Sequence, residues 1–402
     1  MKKKSSPSIC ICTTHSLQDK YSGGVNRITE MAKKLSECNV DVYIVDGNRN
    51  NYYHAEKAAL NEFPYPSYVK LFYVFNIFLF IFRKSIGCLI GPSHELSHIL
   101  SEYNIFMLVK LFYVTKVENI DALQGEHPSG MGVCAKISKI FGLPSVFSEH
   151  NVEWIRIERQ GANKIFTKIL QSLELKYCRK SNVIIVVSEV DKNFLISNGV
   201  SKEKIQVVPN SIDCNIYVPS GPNVRMEFSL DAITLIFHGT LDYVSNKEAV
   251  ELISKNIMPQ INKRYPFVKL LLVGKNPPSI DNPNIIITGP VENLNQYISS
   301  ADIAIVPLVS GGGTRIKILE YMASGKAIVS TAIGAEGLDA SHNHDILIAN
   351  SLDEFVRYIE VLINSPELRK ELGNNARKKA QTRYDWINNC KLIKEIYLNL
   401  VD

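Results

Sequence analysis

Gly311-Gly312-Gly313-Thr314-Arg315-Ile316-Lys317-Ile318-Leu319-Glu320 decides the reading of this chain. The apolar run Ile303–Leu308 before it reads as a buried strand. From Thr314 a helical pattern opens, with Ile316, Leu319, Met322 and Ala323 on one face, and Gly325 closes it. The apolar stretch Ala327–Val329 follows, which makes a strand–glycine loop–helix–strand unit. Glycines let the backbone approach a ligand, and the free amides at a helix start attract anions. Arg315 and Lys317 place two cations where they oppose the helix dipole, so a bound anion would relieve them. Glu320 lies one turn on from Lys317 and can accept hydrogen bonds from vicinal sugar hydroxyls. The segment therefore predicts a cradle for a nucleoside diphosphate and its ribose. The plainer alternative is a glycine-rich turn followed by a Lys317–Glu320 surface pair.

Around this unit the chain alternates strand-like and helix-like segments. Strands are expected at Ile9–Thr13, Val40–Val45, Ser145–Ser148 and Val183–Val187, and later at Thr234–His238, Leu270–Val273, Ile285–Thr288 and Ile346–Ile348. Helices fall between them, and Asn246–Lys263 reads as one continuous helix. Such alternation predicts mostly parallel, doubly wound α/β sheets. The length of 402 residues favours two domains. The Pro-, Gly- and Ser-rich stretch Pro219–Asp231 reads as the linker. The expected division is 1–218, 219–385 and a terminal helix over 386–402 that could pack on either domain.

Hydrophobic content of 46%, charged content of 21% and a net charge of +5 describe a folded globular protein with no argument for nucleic acid. The eight cysteines are scattered, without zinc-ligand spacing, and read as buried thiols in a reducing, cytoplasmic setting. The aromatic run 68–84 is too short to span a bilayer. With Lys70, Arg83 and Lys84 at its ends it suits a helix on the inner face of the cell membrane, or a buried helix of the first domain. Ile105–Val117 has the same character.

Ligands of doubly wound sheets bind beyond the carboxyl ends of the strands. Gly23-Gly24, His127, His150 and the 311–320 segment all fall at such ends.

In order along the chain, Ser22-Gly23-Gly24-Val25, Ser148-Glu149-His150-Asn151, Val207-Val208-Pro209-Asn210, Phe237-His238-Gly239, Leu272-Val273-Gly274, Thr288-Gly289, Val306-Pro307-Leu308, the 311–320 segment and Gly334-Ala335-Glu336-Gly337-Leu338 resemble the family-four, group 1 glycosyltransferases. That resemblance implies the GT-B fold, two Rossmann-like domains facing a cleft, with an N-terminal acceptor-side domain and a C-terminal donor domain. It implies transfer from a nucleotide-diphosphate sugar to a glycan or lipid-linked acceptor, with retention of anomeric configuration and without a metal or other cofactor. On this reading Gly23, Gly24, Arg315, Lys317, Gly313 and Thr314 hold the diphosphate, and Glu320 the ribose. Thr288 and Gly289 lie by the base, while His150 and Glu336 lie by the sugar. His127 serves the acceptor side, and Glu126 and Asp242 are weaker candidates. The sequence departs from the family where Gly312 replaces the first of two glutamates and Thr240 replaces an arginine, with Lys247 later than usual. Two rival functions stay open: a nucleotide-sugar 2-epimerase, and a non-catalytic nucleotide-sugar-binding subunit.

Overall fold

The computed structural model describes residues 6–18, 23–75, 77–78, 100–159, 161–311 and 315–401. The chain divides into two compact units, 1–209 with 389–402, and 210–388.

In the first unit eight strands form one sheet: β1 (Ser8–Cys12), β2 (Asp41–Val45), β3 (Asn51–Glu56), β4 (Ala59–Pro64), β5 (Ala122–Glu126), β6 (Ser145–Glu149), β7 (Val183–Val186) and β8 (Ile205–Val207). Their order is β4-β3-β2-β1-β5-β6-β7-β8. β1, β2 and β5 to β8 pair in parallel, with Ile9 opposite both Val42 and Ala122. β1, β5 and β6 are buried at every position, as strands covered on both faces must be. The order reverses between β1 and β5, which is where such a sheet opens a crevice at its carboxyl edge.

The hairpin β3–β4, which the sequence reading did not anticipate, adds two antiparallel strands at the edge of this mostly parallel sheet. Its turn residues Lys57 and Ala58 both adopt positive φ, 48° and 63°. That is the two-residue turn matched to strand twist, here without the Asn-Gly pair that signals it.

In the second unit β9 (Thr234–Thr240), β10 (Lys269–Lys275), β11 (Ile285–Gly289), β12 (Ile303–Val306), β13 (Ala327–Thr331) and β14 (Leu347–Ala349) form a wholly parallel sheet, β11-β10-β9-β12-β13-β14. Its order reverses between β9 and β12. The expected single helix over 246–263 is three pieces: Val244–Leu252, a π-helical turn Ile253–Ile257, and Met258–Arg264.

The stretch 219–231 is no free linker. The Val224 amide donates to Ser300 Oγ at 2.7 Å, and Arg225 Nη1 donates to the Ser300 carbonyl at 2.6 Å. Residues 210–218 are tied to the second unit by Arg377, which donates to the Cys214 carbonyl at 2.8 Å and also to that of Tyr217, and by the Ile212–Tyr384 backbone bond. The division therefore falls at 209/210 and 388/389, not at 218/219 and 385/386. From Asn389 the helix Trp386–Val401 belongs to the first unit, where Lys394 Nζ donates to the Cys38 carbonyl at 2.7 Å.

The described cysteines are free thiols, all but Cys38 buried; Cys88 lies outside the described residues. Helix Ile105–Val117 is a packed element. Its Lys110 is fully buried, donating to the Asp46 and Asn48 carbonyls under the rings of Tyr65 and Phe106. In the 68–84 run residues 76 and 79–84 are outside the described set. Within the rest, Tyr68, Leu71, Val74, Phe75, Ile77 and Phe78 are exposed, Leu71 by 74%. Among the described residues no helix is long and apolar enough to cross a membrane.

Candidate active site

The β9/β12 reversal of the second unit carries the 311–320 segment. Gly312, Gly313 and Thr314 lie outside the described residues. Helix Ile316–Ala323 starts two residues later than the sequence pattern suggests, so Arg315 occupies the N-cap position and Lys317 the first turn. Ile318, Leu319, Met322 and Ala323 bury its inner face, and Gly325 follows it at φ 62°. The Arg315 guanidinium folds back over Gly311, where an added Cβ would lie 2.9 Å from Nη2. The loop before it is held because Ser310 Oγ donates to Glu248.

Lys317 Nζ lies 2.7 Å from Asn246 Oδ1 and 4.1 Å from the centre of the Phe237 ring. Burial, and then the Arg315 charge beside it, bring its pKa down to about 7. Gly239, at the end of β9 with φ 149°, keeps this corner open. A Cβ there would lie 2.9 Å from Asn246 Nδ2 and 3.4 Å from Lys317 Nζ.

Glu320 is 12% exposed at its side chain. One oxygen accepts from the Tyr217 hydroxyl at 2.9 Å, and the other lies 3.0 Å from His238 Nε2. Burial pushes its pKa up, but His238, Tyr217 and Lys317 together hold it below the usual range. An ionised carboxylate has about four acceptor sites, so two partners leave capacity for sugar hydroxyls. Sequence reasoning gave no role to Tyr217, His238, Asn246 or Glu248, because all four lie far from the 311–320 segment in sequence.

Thr288 and Gly289 end β11, two strands outward from β9, with Gly289 at φ 72°. Glu336 sits in the turn after β13, which is stitched to β12 by Thr331 Oγ1 donating to the Leu308 carbonyl and accepting from the Gly334 amide. Asp242 is exposed and accepts from Asn276 Nδ2, and Lys247 is exposed on its helix.

The β1/β5 reversal of the first unit is built differently. Gly23 and Gly24 open the helix Gly23–Glu37. An added Cβ on Gly24 would lie 3.5 Å from His150 Nδ1 and 3.7 Å from His127 Nε2, ordinary contact distances, so this helix start sits directly against both rings. The two rings are 4.2 Å apart. His127 opens the helix His127–Phe141 at φ 57°, a conformation that strains a non-glycine residue.

Each histidine has a carboxylate behind it. His127 Nδ1 is 3.1 Å from Glu153 Oε1, and His150 Nε2 is 2.5 Å from Glu126 Oε2. Glu153 is itself anchored, because Glu174 accepts the amides of Glu153 and Trp154 at the head of the helix Glu153–Arg159. Burial, with His127 and Arg27 nearby, lowers the His150 pKa to about 4 despite Glu126, so the ring is neutral at pH 7. Burial acts against the Glu126 charge, but His150, Gln124 and Arg27 outweigh it and hold the carboxyl below its ordinary range. A neutral His150 that donates from Nε2 to a carboxylate keeps its Nδ1 lone pair toward Gly24. Glu126 therefore belongs to the site as the partner of His150. Among the described residues no group of three or more His, Cys, Asp or Glu gathers as metal ligands would.

Comparison with known proteins identifies the family and the fold. A family model described as Glycosyltransferase Family 4 matches residues 21–216, and one described as Glycosyl transferases group 1 matches 232–365. An uncharacterized glycosyltransferase of Methanocaldococcus jannaschii is 26% identical over 270 residues, which are 63% of this chain and 68% of that protein. The chain spans 57% to 68% of the length of the first curated relatives it matches. Sucrose-phosphate synthase of Thermosynechococcus elongatus has the same fold, with a TM-score of 0.75 at 14% identity over 98% of this chain and 99% of that one. HepE of Anabaena, solved in complex with UDP-glucose, gives 0.68 at 16% identity over 98% and 100%. The chain has the GT-B fold and belongs to the group 1 glycosyltransferases.

Proposed function

We propose that the chain transfers a sugar from a nucleoside-diphosphate sugar to a glycan or lipid-linked hydroxyl, with retention of configuration. The observation that carries this reading is the corner formed by Arg315, Lys317, Asn246 and Gly239 at the head of the helix Ile316–Ala323. Burial and the Arg315 charge outweigh Glu320 and disfavour the charged form of Lys317, which a bound anion would restore. Two fixed cations and helix-start amides are what a leaving diphosphate needs, and they supply it without a metal. We assign Arg315, Lys317, Gly313 and Thr314 to the diphosphate together with Gly23 and Gly24, and Glu320 to the ribose. Thr288 and Gly289 are assigned to the base, and Glu336 and His150 to the sugar. His127 is assigned to the acceptor hydroxyl. Glu126 and Glu153 are both bonded to histidine rings, which suits them to orient those rings rather than to attack the sugar. The leaving phosphate then takes the acceptor proton. HepE is solved with UDP-glucose, which puts uridine first among the nucleotides to try.

A thermal-shift screen against uridine, guanosine and adenosine diphosphates and their sugars tests the reading, since a ligand raises the melting temperature by mass action. One diphosphate series is expected to stabilise the chain, and sugar transfer with that donor is expected to persist in EDTA. Loss of transfer in EDTA would contradict the metal-free reading. Change at the sugar's C2 without an acceptor would favour the epimerase, and binding without turnover the non-catalytic subunit.

We also propose that the exposed apolar residues Tyr68 to Phe78, beside Lys70, rest on an anionic membrane surface, in the cytoplasm and near a lipid-linked acceptor. Co-sedimentation with vesicles containing phosphatidylglycerol is expected for the native chain and is expected to be lost in Leu71→Asp/Phe75→Asp. Equal partition of both proteins would contradict it.

A further inference from the structure

Four buried groups in the first unit form a continuous line from the end of the chain to His150. The Tyr397 hydroxyl, on the helix Trp386–Val401, donates to Gln124 Oε1. Gln124 Nε2 donates to Glu126 Oε1, and Glu126 Oε2 meets His150 Nε2 at 2.5 Å. Tyr397, Gln124 and Glu126 have no solvent exposure and His150 has 6%.

The chemistry allows one arrangement of this line. Ionised Glu126 can only accept, so Gln124 must turn its NH2 toward it. The amide oxygen then points the other way, and the group meeting it must be a donor, which the tyrosine hydroxyl is. Reversing the amide would set a carbonyl oxygen against a carboxylate. With both Glu126 oxygens occupied, the proton shared with His150 stays on Nε2, and Nδ1 remains the acceptor beside Gly24.

We infer that Tyr397 is a positioning residue for transfer, helping through Gln124 and Glu126 to keep the His150 proton on Nε2 and its Nδ1 free to accept. The charged and titratable groups around this line are His127 from the helix His127–Phe141 and Arg27 from the helix Gly23–Glu37. Cys134 also lies within electrostatic reach of Glu126 and Tyr397. None of them donates to Gln124 Oε1 in the described hydrogen bonds, so the hydroxyl of Tyr397 is the group that pairs the amide oxygen in the orientation Glu126 demands. The terminal helix thus supplies more than core packing. It carries one oxygen atom on which the site's proton arrangement depends.

The inference rests on the proposal that His150 serves the sugar, but its first readout does not. The full-length chain labelled with nitrogen-15 in histidine is recorded by two-bond proton–nitrogen correlation, with His150→Gln for assignment. The native protein at pH 7 is expected to show His150 as a single tautomer protonated at Nε2. Tyr397→Phe keeps the ring and removes the hydroxyl. It is expected to give averaged ring-nitrogen shifts and to move the His150 titration midpoint up by about half a pH unit, since Gln124, its oxygen left unpaired, no longer holds its NH2 on Glu126. In the transfer assay kcat is expected to fall about tenfold with donor KM changed less than about twofold.

The double variant Tyr397→Phe/Gln124→Leu removes the stranded amide, so a merely structural defect would be repaired in it. The relay predicts that its His150 shifts stay averaged. A single native tautomer with an unmoved midpoint in Tyr397→Phe, or its return in the double variant, would overturn the inference. If no donor supports transfer in the native protein, the functional reading fails while the tautomer still answers for the relay.

Discussion

At the β9/β12 reversal the second sheet presents Arg315 and Lys317, with Glu320 held between Tyr217 and His238. At the β1/β5 reversal the first sheet presents two imidazole rings, His127 and His150, each against its own carboxylate. Both are strand ends of doubly wound sheets, yet one places two cations beside each other and the other pairs each ring with a carboxylate. The difference teaches that the fold supplies only the location, through backbone ends and helix starts. The side chains decide whether that location calls for a phosphate or for hydroxyl groups that donate to ring nitrogens.

The sharpest way to break the comparison is Lys317→Met. If the second unit owns the anion, kcat/KM for the donor should fall about 10²- to 10³-fold and nucleoside diphosphate affinity should fall with it. Glu126→Gln in the first unit should lower kcat about 10²-fold and leave nucleoside diphosphate affinity, read by calorimetry, unchanged within about twofold. Parallel loss of nucleotide affinity in both variants would remove the distinction. Glu320→Gln should weaken diphosphate binding about tenfold, and a deoxyribose analogue should lose the same amount in the native protein but little more in the variant.

Acidity offers a further handle. Free Lys317 has its pKa near 7, and a bound diphosphate restores it toward the ordinary lysine value. Binding above pH 7 must then take up a proton, so affinity falls as pH rises from 7, by at most about tenfold per unit. Below pH 7 the lysine is charged with or without ligand and this dependence vanishes. Calorimetry in buffers of different ionisation enthalpy counts the proton, and no uptake at pH 8 would contradict the assignment. The smallest effect is that of Tyr217→Phe, which should lower stability by about 1 kcal/mol in a denaturant melt, since Glu320 keeps His238.

The grouping of Arg315, Lys317 and Glu320 was readable because one segment carries all three at helix spacing. The alternation of elements likewise revealed both sheets. What escaped the sequence was tertiary. Tyr217, His238 and Asn246 reach the cradle from three separate segments, and Gln124 meets Tyr397 across 273 positions. The hairpin β3–β4 hid because Lys57-Ala58 is no recognisable turn pair. The linker expectation failed because polar, Pro-rich composition does not reveal backbone bonds such as Val224 to Ser300.

Calorimetric titration of the native chain and Lys317→Met with a nucleoside, its monophosphate and its diphosphate tests the central claim most directly. The account predicts that the native protein prefers diphosphate to monophosphate by about tenfold or more and that the variant loses this preference. Equal preference in both proteins would contradict it.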